Sequence, residues 1–351
     1  MLRTVASAAA LLLIHGTKAF VPSCGGLVKS VLRRRHGVLP QQQQQQLRAH
    51  SSAKSIRRGA TAIAMAAPGS DVFALDFDGV ICNSQGESSR SGFRALKRLW
   101  PDVVSKLLEA EGGKEGDDAP AWMLDKMREL RPIVETGYEN ILLVRLLIEE
   151  KLGTSPDVSD TLLETWGPEA RDELATRYGL SREQLVEAFG QARDDWIETD
   201  FSGWLGANTF YEGVREAMSA CEGEVYVVTT KQQRFASALL EHAGVKVPLE
   251  RIFGLGTGPK AGVLAELAAK HSGSTLHFLE DRVETLEVVC ADERLTAESG
   301  IKLYLCDWGF NTPSQRARGE QNPRVRLIGT SDIAGVLAPG VQVSAVGGGR
   351  S

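Results

Sequence analysis

Downstream of residue 205 the sequence alternates short apolar segments with segments of helical periodicity, and this alternation restricts the fold more than any other feature. The apolar segments are residues 224–229, 251–255, 276–279, 302–306 and 325–328. A further one, within residues 71–80, ends abruptly in acids and a glycine. Strands that alternate with helices of this length form a parallel sheet with helices on both faces. We therefore predict an α/β fold with a doubly wound parallel sheet.

A long helical segment interrupts this pattern. Residues 89–204 contain no convincing strand, and apolar residues such as Phe93, Leu96 and Trp100 recur there at helical spacing. Ser181 with Gln184 forms a predicted capping box. We expect a core made of residues 71–88 and 205–338, with an all-helical domain inserted at 89–204.

The charge distribution limits the classes of partner. The chain has 351 residues and a net charge of −5, but residues 1–70 carry ten Lys and Arg and no acid, which leaves −15 for the remainder. Nucleic acid is an unfavourable partner for an acidic body of this kind, because phosphate backbones need clustered cations. No apolar stretch reaches the 18 residues that a membrane anchor requires. The five cysteines are scattered without a C-x-x-C pair, so we expect any metal to be held by carboxylates.

The basic N-terminal segment is typical of a targeting leader. Residues 1–19 have the pattern of a secretory signal, and residues 20–70 are rich in Arg, Ser, Gln and Ala, like a transit peptide. Together they resemble the two-part leaders that deliver proteins to the plastid stroma of algae. The alternative is a start at Met65, which would leave the protein in the cytoplasm. Residues 339–351, which include Gly347 to Gly349, are predicted to be a disordered tail.

Two aspartates follow the first predicted strand. In an extended segment residues i and i+2 share a face, so Asp76 and Asp78 point into one pocket while Phe77 turns into the core. Two carboxylates at this distance repel each other unless a cation lies between them or one takes a proton. A hard, oxygen-liganded ion such as Mg²⁺ suits them. The alternative is a pair of solvated acids in a strand-end turn.

Further polar residues stand at or near the carboxyl ends of later strands. Thr229 and Thr230 follow one strand, where hydroxyl and backbone N–H groups can hold a phosphate oxygen. Lys260 begins a helix after a glycine-containing turn, and Glu280 with Asp281 ends another strand. Each feature alone is commonplace. Because ligands of such sheets bind beyond the carboxyl ends of the strands, their joint occurrence predicts a site for a phosphate and a metal ion.

In this order the residues resemble the four motifs of the haloacid dehalogenase (HAD) superfamily, over about residues 71–338. The resemblance implies a Rossmann-like core with a helical cap, as in the phosphoglycolate phosphatase and β-phosphoglucomutase branch. It also implies that Asp76 is a nucleophile forming an aspartyl-phosphate, and that Asp78 protonates the leaving oxygen and then activates water. Thr229 would bind the transferring phosphoryl group, and Lys260 would neutralise it. Mg²⁺ would be held by Asp76, Asp281 and the backbone carbonyl of Asp78.

Three positions depart from the motifs of the superfamily. Thr230 stands where relatives often have Asn, Pro259 precedes the lysine instead of following it, and Glu280 replaces the usual Asp or Gly. The longer Glu280 side chain reaches either the metal ion or only a water bound to it. The first two departures affect substrate assignment, and the third affects the geometry of the metal site.

The expected activity is Mg²⁺-dependent hydrolysis of a small phosphorylated metabolite, with 2-phosphoglycolate as one candidate. Asp78 favours phosphoryl transfer, because the dehalogenases lack that acid and the ATP-driven pumps carry threonine. A phosphomutase, or a non-catalytic binding or assembly factor of the same fold, is the alternative; the sequence does not give the oligomeric state. In the helical insert, Arg131 suits a second anionic group of a substrate, although an exposed arginine in an interhelical turn is the simpler interpretation.

Overall fold

A central parallel sheet carries the residues predicted to form the site. The computed structural model describes residues 71–112, 118–155 and 159–338, so the predicted leader and the predicted tail lie outside the described residues. The described strands are β1 (Val72–Leu75), β2 (Cys82–Asn83), β3 (Thr209–Phe210), β4 (Glu224–Val228), β5 (Ile252–Phe253), β6 (Leu276–Glu280), β7 (Ile301–Cys306) and β8 (Val325–Ile328).

Six of these strands form the sheet in the order β5-β4-β1-β6-β7-β8, and every neighbouring pair is parallel. The predicted doubly wound parallel sheet is therefore confirmed. From β1 the chain adds β4 and β5 on one side and then crosses to β6, β7 and β8 on the other. Such a reversal opens a crevice at the carboxyl end of the strand where it occurs, which here is β1.

Strand β1 is buried on both faces, which explains its unbroken apolar sequence. Phe73 and Leu75 pack into one hydrophobic cluster of the core, and Val72 and Ala74 pack into another. All four residues are at most 1% exposed. Helices on both sides of the sheet complete these two clusters and fix the position of the chain that leaves β1.

The α-helices of the described residues number fourteen. They are α1 (Gln85–Leu99), α2 (Pro101–Ala110), α3 (Ala121–Glu129), α4 (Glu139–Lys151), α5 (Leu162–Thr165), α6 (Pro168–Arg177), α7 (Arg182–Thr199), α8 (Phe201–Gly206), α9 (Val214–Ala220), α10 (Gln233–His242), α11 (Lys260–Lys270), α12 (Val283–Ala291), α13 (Pro313–Glu320) and α14 (Ile333–Leu337). None of them is long and apolar enough to cross a membrane.

Helices α1 to α8 form the predicted helical insert, which we call the cap (residues 84–208). Short strands β2 and β3 pair antiparallel where the chain enters and leaves the cap. The sequence pattern did not predict this pair, because two residues are too few to show a strand periodicity. The cap has its own hydrophobic core, in which Met123, Ile141 and Leu185 are completely buried.

Local signals set the ends of the cap helices. Helix α1 begins at Gln85, before the predicted boundary at residue 89, and Pro101 starts a separate helix directly after Trp100 because its ring cannot continue the preceding one. The predicted capping box is confirmed: Ser181 Oγ accepts a hydrogen bond from the backbone N–H of Gln184, whose side chain accepts one from the N–H of Ser181.

Candidate active site

Asp76 lies at the carboxyl end of β1, in the crevice that the strand order creates. Its backbone N–H donates to the carbonyl of Leu279, which continues the β1–β6 pairing by one residue, and its Oδ1 accepts a hydrogen bond from the N–H of Phe77 at 2.7 Å. The residue is 5% exposed, and Phe77 is completely buried as predicted. The carboxylate is therefore held in one orientation by the core below it.

Three carboxylates meet at this point. One oxygen from each of Asp76, Glu280 and Asp281 lies within 4.8 Å of the other two, and all three residues are buried. Lys260 is the cation beside them: its Nζ lies 2.8 Å from Asp76 Oδ2 and 2.7 Å from Glu280 Oε2. Glu280 also accepts a hydrogen bond through Oε1 from the N–H of Arg282, at 3.1 Å. The structure thus brings together the predicted lysine and three of the four predicted metal-binding residues.

The three carboxylates carry more negative charge than Lys260 offsets. Burial, which Lys260 only partly opposes, raises the pKa of Glu280 to about 8. Burial and the neighbouring charge of Asp76 raise the pKa of Asp281. The pKa of Lys260 is raised, because the attraction of Asp76 and Glu280 outweighs the effect of its burial. An all-oxygen, buried and cation-poor set of ligands fits Mg²⁺.

The backbone around Asp281 is packed so closely that only glycine fits at two positions. Gly79 has φ of 89°, and a Cβ there would lie 1.9 Å from Asp281 Oδ2. A Cβ on Gly309 would lie 2.2 Å from Asp281 Cβ. The N–H of Phe310 donates to Asp281 Oδ2 at 2.7 Å, and Asn311 Nδ2 donates to the Asp281 carbonyl at 2.9 Å. These contacts fix the Asp281 carboxylate toward Asp76.

Asp78 faces a different partner. Lys231 Nζ lies 2.9 Å from Asp78 Oδ1, and the lysine side chain is completely buried. Burial disfavours the charged form of Asp78, but the cations of Lys231 and Arg131 outweigh it and hold the pKa of Asp78 at about 2. The Asp78 side chain is not part of the carboxylate cluster. The sequence predicted a ligand role only for its backbone carbonyl, and that remains a prediction.

A buried charge chain continues from Lys231 into the cap. Lys231 Nζ lies 3.7 Å from Glu87 Oε2, and Glu87 forms two hydrogen bonds of 2.6 Å with the guanidinium of Arg193. Glu87 is completely buried and Arg193 is 4% exposed. Burial disfavours the charged form of Glu87, yet Arg193 and Lys231 lower its pKa. Asp78, Lys231, Glu87 and Arg193 therefore link the core to the cap.

The two predicted threonines have distinct surroundings. Thr229 is 5% exposed, and its Oγ1 accepts a hydrogen bond of 3.1 Å from the N–H of Lys231. Thr230 Oγ1 instead donates to the backbone carbonyl of Glu135 in the cap at 2.9 Å. Thr229 directly follows β4, and its role in binding the phosphoryl group remains a prediction. The hydroxyl of Thr230 connects core and cap, while its substrate-binding role remains a prediction.

Arg131 is buried, so its interpretation as an exposed residue of an interhelical turn is wrong. It is 8% exposed, donates through Nη1 to the carbonyl of Val134 at 2.9 Å, and its guanidinium lies 3.9 Å from the centre of the Phe310 ring. The stacking explains the burial, because the planar guanidinium packs on an aromatic face. Sequence alone does not place Phe310 next to a residue so distant in the chain.

Beneath the cap lies a partly open cavity of about 30 Å³, which we call the cap cavity; it is lined by Asp76, Asp78, Arg131 and Lys231 together with Tyr138 and Asn140. Of the described residues that line this cavity, three have a buried polar atom without a hydrogen-bond partner: Arg131 Nε, Tyr138 Oη and Asn140 Oδ1. Buried polar atoms are nearly always hydrogen-bonded, so these atoms favour a polar group in the cavity, such as water or part of a substrate.

A second and larger space also opens onto Asp76. We call it the lateral groove; it has a volume of about 910 Å³ and runs between the turn at residues 254–259, Val186 of the cap and Val288 of α12. Thr229 and Lys260 lie in its wall as well. The site is therefore reached from one side without passing through the cap cavity.

Sequence reasoning missed Lys231, Glu87 and Arg193. A signal for Lys231 was present, because it stands two residues after Thr229 at the end of a strand. Glu87 and Arg193 are 106 positions apart in different cap helices, and no local pattern pairs them.

Comparisons with known proteins give similarity only at the level of structure. No family model and no curated protein matches the sequence. A crystal structure described as a predicted phosphatase from Clostridium acetobutylicum has 12% identity and a TM-score of 0.42, covering 76% of this chain and 97% of that one. One described as a predicted phosphoglycolate phosphatase from Haemophilus somnus has 14% identity and a TM-score of 0.42, covering 76% and 97%. A HAD-superfamily hydrolase from Geobacter sulfurreducens has 13% identity and a TM-score of 0.37, covering 78% and 99%. At this level of similarity the names of these proteins assign no activity to this chain.

Proposed function

We propose that this protein is a Mg²⁺-dependent phosphatase that hydrolyses a phosphate monoester through an aspartyl-phosphate on Asp76. One observation carries the proposal: Asp76 is oriented at the carboxyl end of β1, paired with Lys260 at 2.8 Å and clustered with two further buried carboxylates. A second acid, Asp78, lies two residues further along the chain and forms an ion pair with a different cation, Lys231. A nucleophile, a separate acid and an oxygen-rich cation site are the groups that phosphoryl transfer to a carboxylate requires.

Asp76 supplies the nucleophilic oxygen. Its carboxylate attacks phosphorus, the bond to the ester oxygen breaks, and the leaving alcohol takes a proton from Asp78. Lys231 and Arg131 hold Asp78 ionised before substrate binds, so the proton arrives with the substrate, whose negative charge raises the pKa of Asp78. In the second half, Asp78 takes a proton from water, the water oxygen attacks phosphorus, and phosphate leaves while Asp76 is regenerated.

The cations of the site neutralise the transferring group. Lys260 lies against the nucleophile, and Thr229 offers a hydroxyl beside it for a phosphoryl oxygen. Asp76, Asp281 and Glu280 would hold Mg²⁺, which supplies positive charge against the carboxylates and the phosphoryl oxygens. Water can reach Asp76 through the lateral groove. This access favours hydrolysis over the reaction of a phosphomutase, in which the phosphoryl group passes to another hydroxyl of the substrate.

The test is phosphate release by the full-length chain from a panel of small phosphoesters that includes 2-phosphoglycolate, with Mg²⁺ or with EDTA. We expect release that requires Mg²⁺ and is lost in Asp76→Asn. Asp125→Asn is the matched control, since Asp125 is 65% exposed and lies in the cap. Isomerised product without free phosphate would favour a phosphomutase. A folded protein that releases no phosphate from any ester would favour a non-catalytic factor and contradict the proposal.

We also propose that residues 1–70 direct the protein to the plastid. The support is their acid-free, Arg- and Ser-containing sequence after a signal-like segment. A fluorescent protein carrying residues 1–70 should accumulate in the plastid of an alga with extra plastid membranes, and cytoplasmic fluorescence would contradict this.

A further inference from the structure

We propose that the alcohol part of the substrate lies in the lateral groove while its phosphoryl group lies at Asp76, so that the substrate is a phosphate monoester of a bulky, ring-bearing alcohol. This inference rests on the proposed phosphatase function and specifies its substrate class. The alcohol that leaves would be larger and more apolar than glycolate, the alcohol of the candidate substrate 2-phosphoglycolate.

The cap cavity is too small for the alcohol of any such ester. Its volume is about 30 Å³ against about 910 Å³ for the lateral groove, so it offers a substrate far less room. Charged side chains, including Asp78, Arg131 and Lys231, form much of its wall. It therefore has room for the ester oxygen next to Asp78 but not for a carbon skeleton.

Several contacts hold the cap down over this cavity. Thr230 donates to the Glu135 carbonyl, and the guanidinium of Arg131 stacks on Phe310 of the core. Beneath them Lys231 joins the buried Glu87 at 3.7 Å. Opening the cap would separate buried charges, which costs far more than separating exposed ones. We therefore infer that the substrate is accommodated with the cap closed.

The lateral groove offers the space that the cap cavity lacks. Its volume of about 910 Å³ is that of a typical small-molecule site. Thr136, Thr230 and Val186 line both spaces, so an ester oxygen next to Asp78 can continue into an alcohol that lies in the groove. The two spaces thus form one path from the acid to solvent.

Apolar atoms make up the larger part of the groove surface, although charged side chains such as Arg182 and Glu187 also line it. Val186, Leu255 and Val288 contribute to the apolar part, and Val288 is 60% exposed. Gly256 and Gly258 leave the turn open on this side, since no atom lies within 4 Å of where a Cβ would stand on either. A flat apolar group can cover these aliphatic side chains and the bare glycine backbone, and this removes apolar surface from water.

The test compares two esters that differ only in the bulk of the alcohol, ethyl phosphate and 2-phenylethyl phosphate, with the full-length chain and Mg²⁺. We expect kcat/KM to be at least about tenfold higher for the phenylethyl ester, because the ring fills the groove. In Val288→Trp the indole occupies that space, and the ratio of the two kcat/KM values should fall about tenfold. Leu249→Trp, a matched change at a 53% exposed residue outside the groove, should leave the ratio unchanged.

Three results would contradict the inference. Equal kcat/KM values for the two esters, with both hydrolysed, would overturn the substrate class and leave the phosphatase function intact. A preference for the phenylethyl ester that Val288→Trp does not alter would show that the alcohol lies elsewhere, beneath an opened cap. A folded protein that hydrolyses neither these esters nor the wider panel would remove the phosphatase function and this inference together.

Discussion

The two sides of the site differ in how their buried charge is balanced. On one side, which we call the carboxylate-rich side, Asp76 and Glu280 pair with Lys260, and Asp281 adds a third buried carboxylate. On the other, the balanced side, two acids and two cations alternate in one chain: Asp78, Lys231, Glu87 and Arg193. The most exposed side chains of the two sides are similar, with Asp78 at 17% and Lys260 at 13%, so exposure to solvent does not explain the difference.

The pKa values of the acids show the consequence. Burial raises the pKa of Glu280 to about 8, whereas Lys231 and Arg131 overcome burial and hold that of Asp78 at about 2. A side whose acids resist ionisation needs another cation, and a side whose acids are fully paired does not. The comparison therefore supports the proposed Mg²⁺ site next to Asp76, whereas the link between cap and core needs no charge beyond those of the protein.

Breaking the balanced side should have the largest effect on stability. In Arg193→Met the carboxylate of Glu87 stays buried with Lys231, at 3.7 Å, as its remaining cation and a hydrogen bond of 2.7 Å from Ser91 Oγ. We expect the free energy of unfolding to fall by about 3–5 kcal/mol, the usual result of removing one partner of a buried pair. Urea unfolding of the full-length chain measures this.

A matched exposed pair provides the control for this variant. Arg234 and Asp194 also join core and cap, at 2.8 Å, but their side chains are 57% and 42% exposed. Arg234→Met should lower the free energy of unfolding by at most about 1 kcal/mol. Equal effects of the two variants would show that burial does not strengthen the balanced side.

Removing a carboxylate from the carboxylate-rich side should reduce activity without reducing stability. In Asp281→Asn the amide oxygen can still accept from the N–H of Phe310, but one ligand charge is lost. We expect kcat/KM with Mg²⁺ to fall at least about 100-fold. We also expect Tm in EDTA to stay the same or rise, because a buried like charge next to Asp76 is gone.

Asp307→Asn is the control for the Asp281 variant, since Asp307 follows β7 at the same edge of the sheet and is exposed. It should retain activity and its dependence on Mg²⁺. Full Mg²⁺-dependent activity in Asp281→Asn would contradict the metal site.

The pH dependence of Tm should be a smaller effect than those of the variants above, and it should have a characteristic direction. The pKa of Glu280 is about 8 when folded against an ordinary 4.5, so the folded state holds its proton more tightly than the unfolded state. The protonated Glu280 carboxyl therefore contributes fully to the free energy of unfolding below pH 4.5, and this contribution is lost as pH rises through 8. We therefore expect Tm in EDTA to fall between pH 6.5 and 8, and Mg²⁺ to reduce this fall.

The interval begins at pH 6.5 because buried His271 and His277 have lowered pKa values, mainly through burial, and act in the opposite direction below their ordinary 6.5. Glu280→Gln supplies the comparison, since it should remove most of the fall. The balanced side should behave differently. The contribution of Asp78 to the free energy of unfolding is present above pH 3.8 and is lost as pH falls toward 2. A Tm that rises from pH 6.5 to 8 in EDTA would contradict the assignment for Glu280.

Much of the core could be predicted from sequence because its signals are local. The strand before Asp76 is an apolar run. Its period of two correctly predicted that Phe77 is buried in the core and that Asp76 and Asp78 lie at the strand end. The limits of the other strands differ from the predicted ones by a few residues at most; β5, for example, spans Ile252–Phe253 within the predicted 251–255. The burial of Arg131 was not predictable, because it depends on Phe310 in a distant loop.

The sequence by itself determined the sheet, the helical insert and the residues at the strand ends, because strand and helix periodicities and the turns between them act over a few neighbouring positions. Only the tertiary structure decided how the charges are partnered. It joined Lys260 to Asp76 and Lys231 to Asp78, brought Glu87 to Arg193 across 106 positions, and opened the lateral groove. The physical reason is that ion pairing and cavity shape depend on distances between segments far apart in the chain, and packing of the cap on the core sets those distances.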